Sequence, residues 1–166
     1  MAEVEIGMGK SGRRAYGFDD IAIVPSRRTR DPEDVDISWE IDAFRFELPL
    51  MGSAMDGVIS PATAIEIGRL GGVGVLNLEG LWTRYEDPTK VLEEIAALKS
   101  ANGDFDPAIT KRLQELYSAP IQPELITARL AEIRESGVTV AGSLTPQRTQ
   151  EHYKTVVAAG VDIFVI

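Results

Sequence analysis

The chain has 166 residues, 44% hydrophobic and 26% charged, with no cysteine, and its 17 basic and 26 acidic side chains give a formal charge of −9. This composition suits one soluble globular domain and excludes a disulfide framework, a thiolate metal site and a cysteine nucleophile within these residues. The acidic balance speaks against nucleic acid or an anionic membrane as a partner, no apolar run approaches the ~20 residues of a membrane span, and Met1 to Lys10 lacks the order of a secretory signal, so a cytoplasmic protein is expected.

Residues 1–46 read as an arm lying on a larger body. Their basic clusters are Arg13-Arg14 and the run Arg27, Arg28 and Arg30, the latter read as a solvated charge run rather than a phosphate grip. Ile21 to Val24 is a short apolar run stopped by Pro25, as a short strand or edge segment would be. Asp31 to Asp34 reads as a turn.

From residue 47 the texture changes to short, nearly all-apolar runs alternating with helical patterns. The runs cover about 47–52, 73–76, 138–142 and 161–166. Ser60-Pro61 and Thr145-Pro146 each place an N-cap residue before a proline, the start signal of a helix. Gly71-Gly72 and Gly160 supply the stops. Apolar strands alternating with helices imply a parallel sheet covered by helices. Between them, residues 78–136 form a charged helical insertion, with helices predicted around Val91 to Leu98, Pro107 to Tyr117 and Pro123 to Ser136 and a break at Asn102-Gly103.

A (β/α)8 barrel needs ~200–250 residues. The apolar closing run Val161 to Ile166 would need pairing and cover. The expectation is therefore the N-terminal half of such a barrel, about four parallel strands with a helical insertion after the second; the competing reading is a complete small α/β sandwich.

Ligands of parallel βα folds bind at the carboxyl ends of the strands. That rule nominates Gly52 to Gly57, Asn77 to Gly80, Gly142-Ser143 and whatever follows Ile166. In the first, Gly52 would allow close approach, Ser53 offers a hydroxyl, Met55 a soft apolar surface and Asp56 a carboxylate; the plain alternative is a turn in which Asp56 caps backbone amides. Gly68, Gly71, Gly72 and Gly74 mimic a phosphate loop, but they end a helix and open a strand, the reverse of a dinucleotide fingerprint. His152, the only histidine, is read as a surface residue of a polar helix. No carboxylate pair suggests acid–base work, and no spacing suggests a metal site.

Three segments resemble one family. Phe18 to Pro25 is similar to the F-D-D-V-L-L-V-P segment of the IMP dehydrogenase and GMP reductase family, Leu48 to Val58 to its I-P-L-V-S-A-x-M-D-T-V strand and loop, and Gly71 to Asn77 to its G-G-x-G strand. The middle lacks the strand pattern of the family's CBS modules, so the chain resembles the branch of actinobacteria and cyanobacteria that has none. The resemblance implies an oxidoreductase converting IMP and NAD to XMP and NADH, with Ser53, Met55 and Asn77 at the substrate and the methionine against the purine. It also implies a tetramer and, in the complete protein, a monovalent cation such as potassium. The family's cysteine nucleophile would lie beyond Ile166, so no catalytic residue is expected in this chain. A GMP reductase and a non-catalytic purine-nucleotide-binding paralogue are the alternatives.

Overall fold

A computed structural model describes residues 3–24, 31–98 and 107–166. The run Pro25 to Arg30 and the expected break at Asn102-Gly103 lie outside the described residues. The chain divides into two compact units, Met1–Asp36 and Ile37–Ile166.

The first unit holds an antiparallel hairpin, β1 (Glu3–Gly7) and β2 (Lys10–Arg13), with a register irregularity between Glu5 and Gly7. Single 3-10 turns cover Phe18–Asp20 and Pro32–Asp34, the second where a turn is expected. Ile21 to Val24 is not a strand: it has no regular structure and its side chains are exposed. The apolar run finds no paired edge among the described residues, and burial of a face is what makes such a run a strand.

The second unit opens with a hairpin, β3 (Trp39–Ile41) and β4 (Phe44–Phe46), turned through Asp42 at φ 52°. Its sheet follows: β5 (Met51–Gly52), β6 (Val73–Asn77), β7 (Ala141–Ser143) and β8 (Ile163–Val165), all parallel and in sequential order. The expected first, third and fourth strands are shorter than read. Helix α1 (Pro61–Arg69) follows β5, and α5 (Pro146–Ala158) links β7 to β8. Between β6 and β7 lie α2 (Pro88–Ala97), α3 (Pro107–Tyr117) and α4 (Pro123–Glu135).

Local chemistry accounts for α1. The Ser60 hydroxyl accepts the Thr63 amide at 3.0 Å, and the Thr63 hydroxyl accepts the Ser60 amide at 2.6 Å. Pro61 fills the first turn. Gly71, at φ +90°, ends the helix in a conformation a Cβ would strain.

One core packs the sheet against the helices. Leu76 and Val140 meet Ala64 of α1, Ile126, Leu130 and Ile133 of α4, and Val156 of α5. Helix α4 touches both α1 and α5, so the crossover helices share one face. A doubly wound sheet would divide them between two faces; this is the layout of half a (β/α)8 barrel. Helix α4 is thus the crossover helix between β6 and β7, and the helical insertion after the second barrel strand reduces to the segment before it. On the other sheet face Phe46 packs with Val73, Val75 and Ala141, joined by Trp39, Ile41 and Phe44. The hairpin therefore closes the amino-terminal end of that face. Trp39 stacks on Phe46 at 4.9 Å and donates its indole N–H to the Leu48 carbonyl at 2.8 Å.

Candidate active site

Strand alternation decides what reaches the carboxyl ends. Val73 and Val75 belong to the inner cluster and Leu76 to the helix side, so Asn77, last in β6, falls on the inner side. Ser143 is in register with Asn77, and Val165 with Ser143. A cleft of about 480 Å3 opens there, lined by Ala54, Asn77, Glu79, Ser143, Leu144, Thr145, Pro146 and Ile166.

Its polar floor is cross-linked. The Asn77 side-chain oxygen accepts the Glu79 amide at 3.1 Å. The Glu79 carboxylate accepts the Thr145 amide at 2.6 Å and lies 3.3 Å from the Thr145 hydroxyl. The loop after β6 is thereby tied to the start of α5, where an acidic group suits the exposed amides of a helix N-terminus. Glu79 falls in the nominated segment Asn77 to Gly80, but no sequence signal singles it out, because its partner is a backbone amide 66 residues away.

The loop after β5 is a compact turn. The Ser53 carbonyl accepts the Met55 amide at 2.8 Å, and the Met55 carbonyl accepts the amides of Val58 and Ile59, each at 2.9 Å. Ile59 is fully buried and pins the far end. Ser53 is exposed and Met55 is 56% exposed. Ala54 between them packs on the inner cluster and lines the cleft, which Ser53 and Met55 do not. The structure thus brings Asn77 into the cleft and leaves Ser53 and Met55 open on either side of Ala54. Gly52 does allow close approach, but by the side chains of Ile59 and Ile67: an added Cβ would meet them at 2.4 and 3.1 Å. Its role is packing.

Asp56 caps an amide, but not one of its own turn. Its Oδ2 accepts the Leu81 amide at 2.9 Å and the Tyr117 hydroxyl at 2.6 Å. Its Oδ1 is buried without a hydrogen-bond partner among the described residues. Burial first, then the hydrogen bond and charge of Asp56, push the Tyr117 hydroxyl well above the ordinary tyrosine range, so it remains a proton donor.

His152 is not on the surface; it is 5% exposed. It lies one helical turn before the fully buried Val156, and that spacing turns both inward. A second cleft, about 220 Å3, is lined by Arg84, Tyr117, Arg148, Glu151 and His152 among others. Its Arg84 is occupied by the carbonyls of Glu79 and Ala119. Gly71 and Gly72 make the turn between α1 and β6, as read from their order, while Gly68 lies within α1 against Val138 and Gly74 within β6 against Ala64.

The sequence model of the IMP dehydrogenase / GMP reductase domain matches residues 15–166. The chain belongs to that family. It is 47% identical over 163 residues to an uncharacterized oxidoreductase of Mycolicibacterium smegmatis, covering 98% of this chain and 43% of the relative. An uncharacterized oxidoreductase of Mycobacterium tuberculosis is 48% identical over 164 residues, with the same shares. The inosine-5'-monophosphate dehydrogenase of Methanocaldococcus jannaschii is 37% identical over 65 residues, 39% of this chain and 13% of that protein. A crystal structure of an IMP dehydrogenase/GMP reductase-like protein from Corynebacterium glutamicum superposes with a TM-score of 0.84 at 44% identity, over 99% of this chain and 44% of that one. The chain thus spans less than half the length of the relatives it matches over nearly its whole length, and the family is one of oxidoreductases. The actinobacterial relatives agree with the branch that the motifs resemble.

Proposed function

We propose that this chain supplies the first half of the substrate site of an IMP-dehydrogenase-like oxidoreductase, which oxidises IMP to XMP with NAD. In this reading Met55 lays its thioether against the flat purine, a soft apolar contact suited to a ring. Ser53 offers a hydroxyl to a polar edge of the nucleotide, and Asn77 holds the inner wall of the cleft at the end of β6. The observation that carries the reading is the exposure of Met55 and Ser53 beside Ala54, the cleft-lining residue of an S-A-M-D loop at the carboxyl end of a parallel strand.

NAD would supply the hydride acceptor. Among the described residues, the glycine series that could cradle a pyrophosphate closes α1 instead of opening a helix, so it does not supply that cradle. The dinucleotide, the nucleophile and a monovalent cation such as potassium are therefore assigned to the remainder of a full-length barrel. A cytoplasmic homotetramer completes the proposal.

The test is full-length protein incubated with IMP and NAD. NADH formation that requires IMP supports the reading. Ammonia release from GMP with NADPH would replace it with a reductase, and IMP binding without turnover under any cation condition would replace it with a nucleotide-binding paralogue.

A further inference from the structure

The loop that carries Ser53 and Met55 is held from outside. Its next residue, Asp56, makes no hydrogen bond within the loop through its carboxylate. Oδ2 is shared by the Leu81 amide, at the start of a 3-10 turn after β6, and by the Tyr117 hydroxyl at the end of α3. Oδ1 is pressed against Gly80, where an added Cβ would stand 1.9 Å away. Three contacts from two distant segments therefore fix one carboxylate.

Helix α3 is itself anchored. Leu116 is buried and its carbonyl accepts the Tyr85 hydroxyl at 2.9 Å. The Ala119 carbonyl accepts Arg84. The Arg112–Glu94 ion pair between α3 and α2, at 2.6 and 3.1 Å, is exposed and adds little to this hold. A tyrosine on so firm a base transmits position rather than yielding to the loop. The carboxylate it holds is attached directly to Met55, whose side chain has little packing to fix it.

We propose that Tyr117, on the helical insertion, is a positioning residue for the nucleotide loop 53–57 and acts on Met55 and Ser53 through Asp56. This rests on the substrate reading above and deepens it. The insertion is then part of the substrate apparatus: it sets how often the loop presents its hydroxyl and thioether in the binding geometry. A loop that must be ordered by the ligand binds more weakly by the fraction of time it is already ordered.

The experiment uses full-length protein as wild type, Tyr117→Phe, Gly80→Ala and, as a control on the insertion, Arg112→Gln. IMP affinity is read by calorimetry, KM and kcat by NADH formation, and loop order by amide hydrogen exchange of residues 53–58 against residues 141–143. Tyr117→Phe removes one hydrogen bond to a charged group, and a roughly tenfold rise in the IMP Kd and KM is expected, with kcat changed less than twofold. Exchange in 53–58 quickens while 141–143 is unchanged. Gly80→Ala displaces the same carboxylate from its other side and gives the same pattern. Arg112→Gln leaves IMP affinity at the wild-type value. Wild-type affinity and exchange in both Tyr117→Phe and Gly80→Ala overturn the proposal, as does an equal loss in Arg112→Gln. Wild-type protein that does not bind IMP overturns the substrate reading instead; the exchange data then decide the clamp on its own.

Discussion

Asn77 and Ser143 face each other in register at the last residues of adjacent parallel strands. Both line the cleft, so a polar pair stands where the apolar inner face of the sheet ends. Below them Val73, Val75 and Ala141 are buried under Phe46. The sheet is thus closed by the β3–β4 hairpin at one end and open to a ligand at the other, the polarity that parallel βα folds use for binding.

If Ser53 and Met55 touch the nucleotide, Ser53→Ala and Met55→Ala in full-length protein each weaken IMP binding by roughly tenfold, about the worth of one hydrogen bond or a small apolar contact. Both residues are exposed, so the melting midpoint moves by less than about 2 °C. Calorimetry with IMP and a thermal melt on the same samples check the pair of outcomes.

Helix α4 packs in the barrel layer beside α1 and α5. Leu130 is fully buried in the core between sheet and helices, so Leu130→Ala costs ~2–5 kcal/mol. Leu113 of α3 is only half-buried, and Leu113→Ala costs about 1 kcal/mol. Denaturant unfolding of the two variants measures the contrast; equal losses would return α4 to the insertion.

Close approach of β6 and α1 depends on a missing side chain. A Cβ at Gly74 would stand 2.6 Å from the Ala64 Cα, an atom of helix backbone that cannot rotate away. Gly74→Ala is expected to destabilise by about 1–3 kcal/mol through overpacking, read by the denaturation midpoint.

The pairing of α2 with α3 is pH-dependent. The Arg112 hydrogen bond, and then its charge, hold the Glu94 carboxyl below its ordinary value of 4.5. A folded pKa below the unfolded one gives stability that is full above pH 4.5 and is lost as pH falls through the depressed value. NMR titration of the Glu94 carboxyl should show that depression, and Arg112→Gln should abolish it.

Much of this was legible in the residues. Ser60-Pro61, Thr145-Pro146 and the glycine stops mark α1 and α5 because capping is local chemistry. The four strands are legible because both faces of a parallel sheet are covered and its strands are apolar throughout. The β3–β4 hairpin was not: its strands are three residues long and carry the exposed pair Glu40 and Arg45, so no apolar run announces them. His152 reads as a surface residue from its polar neighbours, although its spacing to Val156 marks the buried side. In the site, the S-A-M-D loop and Asn77 follow from strand polarity, whereas the Asp56–Tyr117 contact joins residues 61 apart and leaves no local pattern.

An experimental structure of full-length protein with IMP bound would locate the nucleotide outright. The purine should lie against the Met55 side chain, beside the cleft formed by Ala54 and Asn77. A nucleotide seated away from the carboxyl ends of β5 and β6, or none at saturating IMP, would contradict it.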